Sequence, residues 1–184
     1  MGKIFVVRHG QDTDNETGLL NGHRNTNLTE LGKKQATEAG EKLRAEKIDL
    51  IYVSPLTRTK QTAEIIAQQL GLPEAEVMPD LIERDFGFFE GKLAADIPKL
   101  TEDMVVSDGI NYFLSGDGVE TFAKAYQRAQ KVLEDVKTKH PDQNVLLVTH
   151  GDFGKMLRAA YYGWTWEEGI MTPYYANTEV LKLD

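Results

Sequence analysis

The feature that narrows the fold most is an alternation. Short runs of β-branched and aliphatic residues are separated by longer segments whose apolar positions recur every three to four residues. Runs over 4–7, 50–53, 76–78, 145–148 and 179–183 read as strands. Between them, Thr29 caps a helix with Ala36, Ala39, Gly40 and Leu43 on one face, and further helices are predicted over 59–70, 119–140 and 153–162. Parallel neighbouring strands need a crossover long enough to hold a helix, so the pattern predicts an α/β protein with a mostly parallel sheet. Two segments fall outside it. Residues 8–27 form a polar loop, and residues 83–118, punctuated by Gly87, Gly91, Pro98, Gly109, Gly116 and Gly118, read as an excursion over the sheet that is helical in part over 93–100.

The 184 residues carry a net charge of −8, and 41% are hydrophobic, which suits one domain over 1–184 with a sizeable core. No dense patch of Lys and Arg interrupts the acidic balance, so neither nucleic acid nor an anionic membrane is expected as a partner. The chain has no cysteine, which excludes disulfides, thiolate metal sites and cysteine nucleophiles. No apolar run approaches the roughly 20 residues of a membrane span, and the start of the chain lacks a signal-peptide pattern. The expected location is cytoplasmic; the oligomeric state is open, with a homodimer possible.

Two predicted strands end alike, in Arg8-His9-Gly10 and in Thr149-His150-Gly151. In open α/β sheets the ligand crevice lies beyond the carboxyl ends of the strands, so the two imidazoles can meet there, and the glycines admit a ligand close to the backbone. Arg58 follows the second strand onto the same rim. Arg8 and Arg58 around a histidine pair point to an anion, with phosphate favoured because guanidinium forks match its oxygens. An acid is still needed, and Glu83 is the first choice, placed after the third strand among Phe86, Phe88 and Phe89, whose apolar rings would help it hold a proton. Glu90 and Asp85 read as solvated charges or caps, Glu90 being next in line for the acid. His23 on the glycine-rich loop and His140 at a helix end have no assigned chemistry. The aromatics Tyr161, Tyr162, Trp164, Trp166, Tyr174 and Tyr175 fit core packing, a pocket wall or a subunit contact.

Taken in order, Arg8-His9-Gly10, Asn15, the stretch from Gly22 to Thr29, Ser54-Pro55-Leu56-x-Arg58-x-x-Gln61-Thr62-Ala63, Glu83, Phe86-Gly87, Glu90-Gly91, Gly118-x-Glu120-Thr121 and Thr149-His150-Gly151 resemble the histidine phosphatase superfamily, also called the phosphoglycerate mutase-like family. The resemblance runs along nearly the whole chain. It implies a three-layer αβα sandwich and a phosphatase in which His9 attacks phosphorus and Glu83 protonates the leaving oxygen. Arg8, Asn15, Arg58, His150 and Gly151 would then bind the phosphoryl group. No cofactor and no metal are implied, and the partner would be a small phosphorylated metabolite. The chain departs from the family at Gln11-Asp12-Thr13-Asp14, where Glu followed by Thr or Ser is common, and at Asn25-Thr26-Asn27, where Asp-x-Pro is common.

Three readings stay open: a metal-independent phosphomonoesterase, a phosphoglycerate mutase-type phosphoryl transferase, and a non-catalytic phospho-ligand binding module. A metallophosphoesterase built on His9, His23, His150, Asp12 and Asp14 is more remote, because helical His-x-x-x-His spacing is missing. The excursion is short and carries more carboxylates than lysines, which favours hydrolysis of a monoester with a weakly charged or neutral leaving group over a highly phosphorylated substrate.

Overall fold

A computed structural model describes residues 2–184. Its sheet is ordered β3-β2-β6-β1-β7, from β1 (Ile4–Arg8), β2 (Leu50–Val53), β3 (Glu76–Val77), β6 (Val145–Thr149) and β7 (Val180–Leu183). All neighbours are parallel except β7, which runs antiparallel to β1. β1 and β6 are buried along their whole length, as continuous apolar runs require when helices cover both faces.

Successive side chains on a strand point to opposite faces, and the core divides accordingly. Val6, Val145 and Leu147 pack against α5 (Phe122–Lys139) and α6 (Gly151–Tyr162). Phe5, Val7, Leu146 and Val148 pack against α2 (Glu30–Leu43) and α3 (Thr57–Leu70). The result is the expected three-layer αβα sandwich. No helix among the described residues is long and apolar enough to cross a membrane.

Where boundaries moved, the cause is local. α6 starts at Gly151 rather than 153 because His150 is itself the N-cap residue, so the strand end feeds the helix without a loop. α3 starts at Thr57, two residues earlier than the spacing predicts. α5 starts later, at Phe122, because Val119 bridges to Phe86 and the Thr121 hydroxyl accepts from the Lys124 amide.

Two short helices and a hairpin went unforeseen. Within 8–27, Asp12 begins a capping box that nucleates α1 (Thr13–Thr17). Thr165 does the same for α7 (Trp166–Ile170). The excursion, besides the expected helical stretch ending in α4 (Ile97–Leu100), carries a hairpin of β4 (Met104–Ser107) and β5 (Ile110–Phe113). Asp108 and Gly109 turn it with φ of 50° and 75°, and an Asp-Gly pair suits such a two-residue turn. Phe86, Phe89, Ile97 and Phe113 give this region a small core of its own.

One backbone contact ties the site end of β1 to α2. A Cβ on Gly10 would lie 2.4 Å from the Gly32 carbonyl oxygen, and a Cβ on Gly32 would lie 2.0 Å from that of Gln11. The two segments touch with no side chain between them.

Candidate active site

The parallel pairing of β1 with β6 sets Arg8 beside Thr149, and the His9 amide donates to the Thr149 carbonyl at 3.0 Å. His9 and His150 therefore leave the sheet side by side, with ring centroids 5.2 Å apart. Between them lies Arg58, from the first turn of α3, with no exposed surface.

The hydrogen bonds fix both tautomers. His9 Nδ1 is 2.7 Å from the Gly10 carbonyl, which can only accept, so Nδ1 carries the proton. Its Nε2 lone pair accepts from Arg58 Nε at 3.2 Å. His150 has the opposite arrangement: Nδ1 accepts from the Arg58 guanidinium at 3.0 Å, and Nε2 donates to the Ser54 hydroxyl at 2.7 Å. Burial, then the charges of Arg58 and Arg8, hold the His9 pKa well below its ordinary value, and burial and Arg58 do the same for His150. Both rings are neutral at pH 7.

Arg58 also donates to the carbonyls of Arg24 (2.7 Å) and Gly22 (2.8 Å), and its Nε lies 3.4 Å from Asp12 Oδ2. That oxygen further accepts from Asn21 (2.7 Å) and Thr26 (2.9 Å), while Asp12 Oδ1 caps α1 through the Asn15 amide. Asp12 thus spends one oxygen on the helix cap and uses the other to balance Arg58. In the second departure segment, the Asn25 side chain accepts from the Thr57 amide at 2.7 Å, which docks 25–27 onto the start of α3.

Arg8 and His9 line a cavity of about 280 Å³ together with Asn15, Glu83 and Gly151. Arg58 and His150 do not reach its wall; they stand behind His9. Arg8 donates to the Tyr175 carbonyl at 2.8 Å and bonds the Tyr174 hydroxyl. Its Nε is buried without an acceptor. Burial opposes the Arg8 charge, but Tyr174, Glu83 and Asp12 outweigh it and its pKa is raised. Arg8 lines the cavity and brings a guanidinium charge to it, which suits an anion.

Glu83 does not follow β3 directly; five residues intervene, including a 3₁₀ turn at Pro79–Leu81. Nor do the phenylalanines act together, since Phe88 is exposed and only Phe86 lines the cavity. Glu83 is buried instead against the first turn of α6. Its Oε1 accepts from the amides of Arg84 (2.8 Å) and Phe153 (2.9 Å), and Oε2 accepts a longer bond from Asp152 (3.3 Å). Burial and the Asp152 charge raise its pKa against the pull of those amides. With Oε1 twice occupied, the proton belongs on Oε2.

A family model described as "Histidine phosphatase superfamily (branch 1)" matches residues 4–184. The chain belongs to that superfamily. It is 35% identical to a metal-independent phosphoserine phosphatase of Arabidopsis thaliana, over 86% of this chain and 67% of the relative. It is also 35% identical to phosphoserine phosphatase 1 of Hydrogenobacter thermophilus, over 82% of this chain and 71% of that one. Among solved structures, YhfR of Bacillus stearothermophilus superimposes with a TM-score of 0.85 at 26% identity, covering 99% of this chain and 90% of the other.

Of the remaining candidates in this histidine phosphatase, all but Tyr174 and Tyr175 lie off the cavity. Glu90 accepts from the His23 amide at 2.6 Å, Asp85 caps Gly87, and the His23 ring donates to the Glu83 carbonyl at 2.8 Å. His140 bonds Tyr52 and Gln143 at the far end of the sheet. Trp166 stacks on Phe122 in the core, whereas Tyr174 and Tyr175 line the cavity.

Of the excursion's carboxylates only Glu83 lines the cavity, so the acidic balance of the rest does not act on the leaving group there. The charges that do line it, besides Arg8 and Glu83, are Asp152 and Lys155, neither of which sequence reasoning singled out. Position was the available signal: both stand within five residues of His150 on a helix that begins at the site. Arg84, buried among Phe86, Phe113 and Phe122 and paired with Asp152 at 2.9 Å, was missed as well.

Proposed function

We propose that this chain, as one histidine phosphatase domain over 1–184, is a metal-independent phosphomonoesterase acting on a small phosphorylated metabolite in the cytoplasm. The observation that carries the reading is the hydrogen bonding of His9. Its Nδ1 proton is tied to the Gly10 carbonyl, and its pKa is depressed, which leaves Nε2 a neutral nucleophile. Arg8 and the Gly151 amide hold the phosphoryl oxygens, with Asn15 beside them. Arg58, which now donates to Nε2, turns that donor toward the incoming phosphoryl group. His150, neutral and held by Ser54, completes the cluster.

In the first step the Nε2 lone pair forms a bond to phosphorus and the bond to the leaving oxygen breaks. Glu83 Oε2 gives that oxygen its proton. In the second, the Glu83 carboxylate takes a proton from water, the water oxygen bonds to phosphorus, and the P–N bond breaks. Phosphate leaves and His9 returns neutral. The relatives named as phosphoserine phosphatases support hydrolysis of small monoesters.

Phosphate release from a panel of phosphorylated metabolites in excess EDTA tests the proposal. Turnover by the wild type, abolished in a folded His9→Ala variant, is expected. Loss of turnover on chelation, wild-type activity in His9→Ala, or isomerisation of 3-phosphoglycerate in place of hydrolysis refutes it.

A further inference from the structure

Asn177, in the segment between α7 and β7, also lines the cavity, and the reaction above assigns it nothing. That segment is tied to the site end of β1. The Thr178 amide donates to the Arg8 carbonyl at 3.0 Å, and the Tyr175 carbonyl accepts from the Arg8 guanidinium at 2.8 Å. Between those two ties, Asn177 Nδ2 donates to the His9 carbonyl at 2.9 Å and to Asn15 Oδ1 at 3.2 Å. An amide nitrogen carries two hydrogens, so both bonds are made at once. The orientation of each side chain is fixed by a backbone group that has a single role. The His9 carbonyl can only accept, so Asn177 turns its nitrogen toward it. The Asp12 amide can only donate, and it lies 3.5 Å from Asn15 Oδ1, so Asn15 turns its oxygen that way.

The consequence falls on the other half of the Asn15 side chain. With Oδ1 engaged by Asn177 and Asp12, Nδ2 has no protein acceptor among the described residues, and Asn15 lines the cavity beside Arg8 and His9. The Asp12 bond is the longer of the two, so Asn177 is the firmer hold.

We propose that Asn177 is a positioning residue of the phosphoryl site, holding the Asn15 amide with its nitrogen toward the phosphoryl oxygens and tying it to the backbone of His9. The proposal rests on the reading of this cavity as a phosphomonoester site with Asn15 among its donors. A flipped Asn15 would present its oxygen to a negatively charged phosphoryl group, and a loosely held one would have to be ordered at every binding event. Because the nitrogen that orients Asn15 also grips the His9 carbonyl, a donor on α1 and the nucleophile at the end of β1 are set to each other by one side chain, 162 residues from Asn15 in sequence. A carboxylate in its place could do neither, having no hydrogen to give.

A double-mutant cycle on the full chain tests the coupling: wild type, Asn15→Ala, Asn177→Ala and the double variant. Each is read as kcat/KM for para-nitrophenyl phosphate and as the Kd of orthovanadate, which takes the place of the phosphoryl group. Each single variant is expected to lose about tenfold or more in both readings, as loss of a hydrogen bond to a charged group does. The double variant should then lie within about threefold of Asn15→Ala alone. Asn177→Ser keeps a short donor for the adjacent His9 carbonyl but none for Asn15, and it serves in the same cycle if the alanine variant does not fold. Losses that multiply in the double variant overturn the coupling, as does a change of less than about threefold in either single variant; both results leave hydrolysis standing. No hydrolysis by the wild type overturns the phosphatase reading instead, and the orthovanadate Kd then decides the coupling alone.

Discussion

Glu83→Gln removes the proton assigned to the leaving oxygen while leaving most of the acid's surroundings in place. The Gln oxygen can still accept from the Arg84 and Phe153 amides, but its NH₂ then faces the Asp152 N–H, which lost its acceptor at 3.3 Å. One long hydrogen bond is lost, for a stability change of about 1 kcal/mol. The chemical effect is much larger. A positioned general acid contributes about 10²- to 10⁴-fold, or about 3–5 kcal/mol of barrier at 1.36 kcal/mol per tenfold. That loss applies to an alkyl phosphate, whose leaving oxygen needs the proton, and hardly at all to para-nitrophenyl phosphate, whose phenolate leaves unprotonated. The assay is kcat for both substrates in wild type and variant, with a urea melt to verify the fold. Equal slowing of both refutes Glu83 as the acid. Next would come Glu90, which lies off the cavity wall.

Arg84→Met leaves Asp152 half-buried without its cation and removes a guanidinium packed on three aromatic rings. Breaking such a pair costs about 3–5 kcal/mol; a urea midpoint shift equivalent to less than about 1 kcal/mol shows that the pair is not holding this corner. Stability should also fall with acid. His9 and His150 have folded-state pKa values well below the ordinary 6.5, so below that pH the unfolded chain binds protons that the folded chain refuses. Their contribution is present above pH 6.5 and shrinks as pH drops through and below it. Thermal melts from pH 8 to 5 check this, and a Tm loss no smaller in a variant with both histidines replaced by Gln refutes it.

The layers of the fold were legible because β1 and β6 are uninterrupted apolar runs and α5 has a clean apolar face. What escaped notice is stabilised by other means. α1 and α7 are five residues each, too short for periodicity to show, and depend on capping boxes at Asp12 and Thr165. The β4–β5 hairpin has four-residue strands whose alternation is weak, and its one clear mark was Asp108-Gly109. In the site, the duplicated His-Gly strand ends brought His9 and His150 together in the reading of the sequence, and Arg58 came with them. Depth was not legible. Nothing in one dimension says that Arg58 and His150 stand behind His9, or that Glu83 finds its partners on α6, 70 residues away. Lys155 resembled any helical lysine until the carbonyls of Ile170 and Thr172 were seen to draw it inward.

The contact between Gly10 and Gly32 has a consequence for how this chain can vary over time. Where a side chain fills a gap, growth at one position can be offset by trimming at its neighbour, and the pair drifts together. Here both positions are already at the minimum, and each faces backbone oxygen at 2.0–2.4 Å from any added carbon. Neither can grow, and neither has anything left to give up. Each glycine is constrained singly, with no compensating substitution available to the other, so drift in this family should skirt the seam between β1 and α2.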